Sequence, residues 1–207
     1  DNHLILFGVN TVDSNQDNNQ VFNSLVIINN KFDVLFKYDK IKLVPFGEFL
    51  PFKSILNNLG LKKITEGQGS FSSGRVANIF TLDELKLLPL ICYEIIFTEL
   101  SKNKKQKNII VNISEDAWFG KTIGPSQHLA KAIFRSIENN VFLIRSANKG
   151  FSAFINNKGK IQKVLGPNEA GIIELNVPFI NNQQINFRSM NYLNNDQIAL
   201  IYGVYNL

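Results

Sequence analysis

The sequence contains one cysteine, Cys92, and its position favours a chemical role. It directly follows the apolar run 85–91, which has the length and branching of a buried strand, and it is followed by Tyr93 and Glu94. A thiol at the end of a buried strand, with polar groups beside it, is where an α/β enzyme would place a nucleophile. Most free cysteines are instead small buried hydrophobic residues, so this stretch alone leaves both interpretations open.

A catalytic cysteine needs a base or a cation nearby, because a free thiol is mostly protonated at neutral pH. The two histidines are weak candidates: His3 is near the start of the chain, and His128 falls in the first turn of a predicted helix, which is more typical of a surface or packing residue. A lysine and a glutamate offer another route, in which the carboxylate removes the thiol proton and the ammonium stabilises an oxyanion.

Lys40 and Glu48 are candidates for that pair. Pro45 and Gly47 break regular structure between them, so we predict Lys40 at the end of a strand and Glu48 on a loop. Sequence spacing by itself does not bring these residues to the thiol.

The elements that must position these residues are mostly strands. One amphipathic helix is predicted over 126–139, with Leu129, Ile133 and Ile137 as its buried stripe, and a short helix is predicted over 51–59. This mixture indicates a layered α/β protein. The predicted strands are 4–9, 21–28, 32–36, 85–91, 108–113, 141–145, 151–155, 161–165 and 172–177, with hairpin turns at 29–31 and 156–159.

The composition is that of a folded globular protein with one sizeable core: 207 residues, 44% hydrophobic and 19% charged. Much of the net charge of +5 comes from the run Lys102, Lys104, Lys105 and Lys107. We interpret this run as a solvated face, with contact to anionic lipid headgroups as the alternative. Nucleic acid is not an expected partner, because no basic stripe is interleaved with aromatic residues.

The ends of the sequence are those of a piece of a longer polypeptide. The chain begins with Asp1 and enters a strand at once, and it has no run of about 20 apolar residues. We assign 1–197 to one partial domain. The apolar end, 198–207, is predicted to be either a last core strand or the start of a membrane helix.

Five short motifs together resemble the nitrilase (carbon–nitrogen hydrolase) superfamily and, more narrowly, the catalytic domain of the apolipoprotein N-acyltransferases. Each motif is weak alone, but they occur in order over residues 38–150. They are Tyr38-Asp-Lys40, Leu43-Val-Pro-Phe-Gly-Glu48, Ile91-Cys-Tyr-Glu94, Asp116-Ala-Trp-Phe-Gly120 and Gly124-Pro-Ser-Gln-His128.

The resemblance implies a nitrilase-like αββα sandwich, incomplete at its N-terminus, and a Glu–Lys–Cys catalytic set. By matching positions, Cys92 would be the nucleophile, Lys40 the oxyanion-stabilising lysine, and Glu48 the glutamate that orients this lysine. Tyr93 and Glu94 match residues that support the site beside the nucleophile.

The implied activity is the transfer of a fatty acyl chain from a phospholipid, through a cysteine thioester, to the N-terminal amine of the diacylglyceryl-cysteine of an apolipoprotein. This is a step of lipoprotein maturation in the bacterial cell envelope, and it implies a catalytic domain that faces the periplasm from the inner membrane. The resemblance implies no cofactor and no metal.

The chain departs from this family in three respects. No residue matches the general-base glutamate, which in the family lies upstream of the strand 4–9, and the membrane helices are absent. Glu115 and Lys149 stand where relatives usually carry asparagine. Without the base, thiol activation would fall to Glu48 or Glu94, and loss of a general base typically lowers the rate by about 10²–10⁴.

Two other interpretations remain open at this point. One is a soluble nitrilase-type amidase. The other is an inactive truncated remnant, favoured by the missing glutamate, in which the loss of core strands would expose an apolar edge. For residues 1–207 alone we expect little or no turnover.

Overall fold

The computed structural model describes residues 2–14, 20–51, 70–102, 107–167, 169–178, 184–191 and 200–205. Two helices lie in these ranges, α1 (Thr98–Lys102) and α2 (Gly124–Asn139), with 3₁₀ turns at Cys92–Ile96 and Asp116–Phe119. The strands are β1 (Asn2–Asp13), β2 (Gln20–Asn29), β3 (Val34–Asp39), β4 (Phe80–Leu82), β5 (Leu85–Ile91), β6 (Ile109–Glu115), β7 (Phe142–Asn148), β8 (Ser152–Ile155), β9 (Ile161–Leu165), β10 (Gly171–Pro178), β11 (Gln184–Asn191) and β12 (Leu200–Tyr205).

These strands form two sheets. Sheet 1 has the order β10-β11-β12-β1-β2-β3 and is antiparallel, whereas sheet 2 has the order β4-β5-β6-β7-β8-β9. Strands β5, β6 and β7 are parallel, and α1 and α2 lie in the connections between them, as parallel pairing requires. The carboxyl ends of these three strands therefore meet at one edge of sheet 2.

Strand β5 is buried on both faces, which explains its nearly continuous apolar sequence. Leu87 and Ile91 belong to the core between the two sheets, while Leu88 and Leu90 belong to a second core between sheet 2 and the helices. Side chains alternate along a strand, so a single strand contributes to both cores. This layered arrangement confirms the predicted α/β class.

Most predicted strands are present, with shifted bounds. Strand β3 starts at Val34 rather than at residue 32, because Phe32 has a φ of 65° and lies in the turn after β2. The predicted helix 51–59 lies outside the described residues, apart from residue 51.

The predicted buried stripe of the helix was right at Leu129 and Ile133, which belong to or pack against the core, and wrong at Ile137. Helix α2 begins at Gly124 and includes Pro125 in its first turn, as expected for proline. Ile137 is 46% exposed, and the buried face also contains Ala132 and three polar residues. The polar members are His128, Arg135 and Ser136.

The prediction of a solvated basic run was also wrong for Lys107. Its side chain is buried, and Nζ donates a hydrogen bond to the carbonyl of Ser101 at 2.8 Å. Burial lowers the pKa of Lys107. Lys102 is exposed as predicted, and residues 103–106 lie outside the described ranges.

At the C-terminal end, residues 200–205 form β12, which pairs with β1 and β11. None of the helices in the described ranges combines the length and apolar character needed to cross a membrane. The domain bounds proposed from the sequence remain a prediction.

Gly74 allows the chain to pass directly against the end of β3. Its N–H donates to the carbonyl of Lys40 at 2.8 Å, and a Cβ at this position would lie 2.1 Å from the carbonyl oxygen of Asp39. The backbone there cannot yield easily, because the Lys40 N–H is itself bonded to the carbonyl of Asn23 at 2.8 Å.

We therefore expect Gly74→Ala to lower the free energy of unfolding by about 1–3 kcal/mol, the usual effect of forcing an extra group into packed structure. Urea denaturation is the measurement. Gly166→Ala is the matched control, because its Cβ would meet only the Glu169 carboxylate at an ordinary 3.4 Å. Equal stability of the two variants would contradict the close approach at Gly74.

Candidate active site

Cys92 is the first residue of the 3₁₀ turn that directly follows β5. Its φ is 50°, in the left-handed region that non-glycine residues adopt only at some cost in strain. The residue is partly exposed, although it packs against the core between the sheets. A nucleophile on a strained strand-to-helix turn is held out of the strand and presented at the sheet edge.

Glu94 joins the end of β5 to the end of β3. Its buried carboxylate accepts four hydrogen bonds: from the Tyr38 hydroxyl at 2.8 Å and from the N–H groups of Ile41 at 2.7 Å, Lys42 at 3.1 Å and Ile91 at 2.7 Å. Three of these donors come from the β3 end and one from β5. The carboxylate thus fixes the two strand ends to each other.

Lys40 and Glu48 form a buried ion pair. The Lys40 Nζ lies 2.9 and 2.8 Å from the two carboxylate oxygens of Glu48 and is 1% exposed. The same oxygens accept hydrogen bonds from the Asn23 side chain and the Val44 N–H, both at 2.8 Å. Glu48 therefore holds the ammonium group in one position, as predicted for a lysine-orienting residue.

The fold thus brings the segments of four sequence-predicted residues together. Glu94, two residues after Cys92, binds the backbone directly after Lys40, and Lys40 binds Glu48. The fifth residue, Tyr93, lies beside them, with its ring edge-on to Phe97 at 5.0 Å between centroids.

Comparison with known proteins identifies the family. The family model of the carbon–nitrogen hydrolases matches residues 2–185. The chain belongs to the carbon–nitrogen hydrolase family.

Curated relatives share this sequence closely over part of their length. The chain is 42% identical over 155 residues to a Rhizobium rhizogenes protein named apolipoprotein N-acyltransferase, and 40% identical over 159 residues to a protein of the same name from Brucella suis. These matches cover 74% and 76% of this chain but only 29% and 30% of the relatives. The chain thus spans about a third of the length of the relatives it matches.

Solved structures confirm the predicted nitrilase-like fold. Saccharomyces cerevisiae Nit3, a nitrilase superfamily member, superposes with a TM-score of 0.59 at 16% identity, over 96% of this chain and 58% of that one. The NitN amidase from Neterenkonia sp. AN1 gives a TM-score of 0.55 at 13% identity, over 99% and 62% of the two chains.

In this carbon–nitrogen hydrolase domain, burial acts strongly on Glu94 and Tyr38. Burial raises the pKa of the Glu94 carboxyl, although the donors around it act in the opposite direction. Burial, followed by the adjacent Glu94 charge, raises the pKa of the Tyr38 hydroxyl far above its ordinary value, so Tyr38 remains a hydrogen-bond donor.

A second buried polar cluster lies next to Cys92, and sequence reasoning missed it as a unit. Asp116 accepts hydrogen bonds from Ser114 at 2.6 Å and from Arg145 at 2.6 Å, and it contacts His128 at 3.0 Å. Arg145 also donates to the Asn112 side chain. A charged arginine directly after the apolar residues 141–144 was a sequence signal for this cluster, since a buried charge requires a partner.

Within this cluster, burial, the largest single influence, raises the pKa of the Asp116 carboxyl. The Arg145 guanidinium, the adjacent His128 ring and the hydrogen bond from Ser114 outweigh it and hold that pKa well below its usual range. Asp116 is therefore ionised and paired with Arg145 at neutral pH.

His128 is not placed as a general base for the thiol. Its Nδ1 lies 3.0 Å from both Asp116 and Arg145, and its Nε2 lies 3.2 Å from the carbonyl oxygen of Cys92. Both ring nitrogens thus have partners other than the sulfur, so the Cys/His dyad considered from the sequence was wrong. Of the two alternatives considered for His128, a surface or a packing residue, the structure favours the second, because His128 is buried.

The two residues that depart from the family motifs lie next to this cluster. Glu115 accepts hydrogen bonds from the Ala117 N–H at 3.0 Å and from the Asn148 side chain at 2.8 Å. Lys149 follows with a φ of 51°. Asparagine adopts this left-handed conformation more readily than lysine, so Lys149 carries backbone strain there.

We expect Glu94→Gln to lower the free energy of unfolding by about 1–3 kcal/mol, because the amide NH₂ must face a buried N–H donor where a carboxylate oxygen accepted one. Urea denaturation checks this. The matched control is Glu99→Gln, whose exposed carboxylate pairs with Lys42 at 3.3 Å on the surface, where solvent screens the ion pair and its loss should change stability little. A Glu94→Gln variant as stable as this control would mean that the four hydrogen bonds do not hold the strand ends.

Proposed function

We propose that this chain is the catalytic part of an acyltransferase that moves a fatty acyl group from a phospholipid, through a thioester on Cys92, to the N-terminal amine of a diacylglyceryl-cysteine apolipoprotein. The observation that carries the proposal is the attachment of the Cys92 turn to the Lys40 segment through the four hydrogen bonds of Glu94. The names of the curated relatives support the same activity.

The chemistry proceeds in two balanced steps. The Cys92 thiolate attacks the ester carbonyl of the phospholipid and the C–S bond forms. The C–O bond to the glycerol then breaks, and the glycerol oxygen takes up the proton that the base removed from the thiol, so that a lysophospholipid is released. The neutral α-amine of the acceptor then attacks the thioester, so that an amide bond forms, the C–S bond breaks, and the amine proton returns to the thiol. A thioester keeps the acyl group reactive toward the amine between the two steps.

Lys40 is the proposed stabiliser of the oxyanion in both steps. Its ammonium group is almost completely buried and is fixed by Glu48, so it needs no reorganisation when negative charge develops on the carbonyl oxygen. A flexible lysine would lose this advantage. Glu48 therefore acts through Lys40, as a positioning residue.

We further propose that neither Glu48 nor Glu94 removes the thiol proton. The Glu48 oxygens bind Lys40, Asn23 and the Val44 N–H, and the Glu94 oxygens accept four hydrogen bonds. A base must have a lone pair directed at the proton it takes. The base is therefore expected outside the described residues, in agreement with the missing family glutamate.

A lipid substrate is supported by apolar side chains exposed on the segments that carry the site. Phe46 lies between Lys40 and Glu48 and is 43% exposed, and Trp118 and Ile123, which lie between β6 and α2, are 60% and 68% exposed. Exposed apolar groups around a site are typical of surfaces that meet lipid or another apolar partner. We propose that this edge faces the inner membrane from the periplasmic side.

We expect the protein, with any coding sequence that precedes Asp1 included, to form a covalent acyl adduct on Cys92 when incubated with phospholipid in detergent micelles. Intact-mass spectrometry should give an increase of one acyl chain, which hydroxylamine removes because it cleaves thioesters. Cys92→Ala is the control, since Cys92 is the sole cysteine. An equal adduct on Cys92→Ala would contradict the assignment of the nucleophile.

The same preparation separates acyl transfer from the amidase alternative. Release of ammonia from small amides without any phospholipid adduct would replace the acyltransferase proposal with an amidase. Turnover by residues 1–207 alone would overturn the expectation, which rests on the family resemblance, that the general base lies upstream of β1.

We expect Lys40→Met to slow formation of the adduct by about 10²–10³, the effect of removing a preorganised oxyanion donor. Lys37→Met, on the strand that precedes Lys40, is the matched control, because Lys37 is exposed and makes only surface contacts, an ion pair with Asp39 at 3.1 Å and a cation–π contact with Phe22. Single-turnover mass spectrometry gives both rates. Equal rates would exclude a role for the Lys40 ammonium in the reaction.

A further inference from the structure

The backbone carbonyl of Cys92 is bound by side chains from two other elements. His128, on α2, places Nε2 at 3.2 Å from this oxygen, and Asn112, on β6, places Nδ2 at a longer 3.5 Å. The Asn112 amide also donates to the carbonyl of Leu90 at 3.0 Å. The peptide bond that follows the strained Cys92 is thus held by one side chain from α2 and one from β6.

The histidine in this contact is itself fixed by buried charges. Arg145 is fully buried, and its guanidinium binds Asp116, Asn112 and the Phe151 carbonyl and lies 3.0 Å from the Nδ1 of His128. The Asp116 carboxylate packs directly against the backbone of Gly150. A Cβ on Gly150 would lie 2.2 Å from the Asp116 carboxylate.

Two contacts of His128 favour a proton on Nε2, because the Cys92 carbonyl only accepts and Arg145 only donates, whereas the Asp116 carboxylate, 3.0 Å from Nδ1, favours the other tautomer. A carbonyl oxygen only accepts, so Nε2 must carry a proton to bind Cys92. Burial, assisted by the charge of Arg145, lowers the pKa of His128 despite the opposing effect of Asp116, so the ring is neutral at neutral pH. Nδ1 then accepts a hydrogen bond from Arg145, and Asp116 is satisfied by Arg145 and Ser114.

We propose that His128 is a positioning residue, whose Nε2–H holds the Cys92 carbonyl and thereby keeps the nucleophile in its left-handed turn, while Arg145 and Asp116 fix the ring. The inference deepens the proposed acyl transfer and rests on it for its kinetic consequence. His128 touches neither the sulfur nor the substrate in this arrangement. It acts through the backbone.

Two substitutions separate this role from a merely structural one. In His128→Gln the side-chain amide can occupy the place of Nε2–H and bind the Cys92 carbonyl. In His128→Asn the shorter amide can bind Asp116 in place of Nδ1 but cannot reach that carbonyl. Gln127→Ala, on the exposed face of the same helix, is the control for changes in α2 itself.

We expect His128→Gln and Gln127→Ala to form the Cys92 acyl adduct from phospholipid at nearly the wild-type rate. His128→Asn should be slower by about 10- to 100-fold, with an unchanged KM for phospholipid, because small misplacements of a reacting group have effects of this size. Thermal melting is measured alongside. A structural role alone would lower the melting temperature and both kinetic parameters without favouring glutamine over asparagine.

Two further measurements keep the inference separate from the proposed function. Alkylation of Cys92 by iodoacetamide needs no lipid, and its rate is expected to separate His128→Asn from His128→Gln and the wild type. The ring ¹⁵N spectrum of the wild-type protein is expected to place the His128 proton on Nε2, and this needs no variant to fold. If the wild-type protein forms no acyl adduct, the proposed function is wrong. The alkylation rates and the ring ¹⁵N spectrum still test the role of His128 in that case.

The inference is overturned by any of three results. These are equal adduct and alkylation rates for the glutamine and asparagine variants, rescue by asparagine rather than glutamine, or a ring proton found on Nδ1.

Discussion

The buried carboxylate of Glu94 is the interaction on which the site depends. Removing a carboxylate from water is costly unless its oxygens are bound, and four donors bind it here. Those donors belong to the end of β3 in sheet 1 and to β5 in sheet 2. Because Lys40 and Cys92 each lie directly beside these donors, this one carboxylate fixes the backbone at Lys40 relative to the backbone at Cys92.

A second set of buried charges lies on the other side of the nucleophile. Asp116 and Arg145 form an ion pair that is almost completely shielded from solvent, and pairs of this kind add little to stability over an apolar core. Their contribution is better understood as geometric. They leave His128 one favourable orientation, with one ring nitrogen toward Arg145 and the other toward the Cys92 carbonyl.

Both sets meet at the same place because of the topology of sheet 2. Its parallel strands β5 and β6 end at one edge, where Cys92 and Asp116 follow them directly. Ligand and catalytic groups gather at the carboxyl ends of parallel strands because the connecting segments there are free to vary. The exposed Trp118 lies on one of these segments.

Local sequence pattern predicted part of this arrangement well. The apolar run of β5, the breakers Pro45 and Gly47, and the polar residues after Cys92 gave the strand, the loop and the nucleophile turn. The sequence located helix α2 but missed the polar part of its buried face. His128 and Arg135 face inward, where charge patterning predicts solvent. Hydrophobic periodicity uses only the positions of apolar residues, so it does not predict polar groups that are buried because they have hydrogen-bond partners.

The sequence by itself determined the elements and the chemical types of the reactive groups, because both depend on neighbours a few residues apart. Only the tertiary structure decided which groups meet. Tyr38 and Glu94 are 56 positions apart in numbering, and Asp116 and Arg145 are 29 apart, so no local pattern links them. Their pairing results from burying charged groups in a common interior, where each must find a partner across the fold.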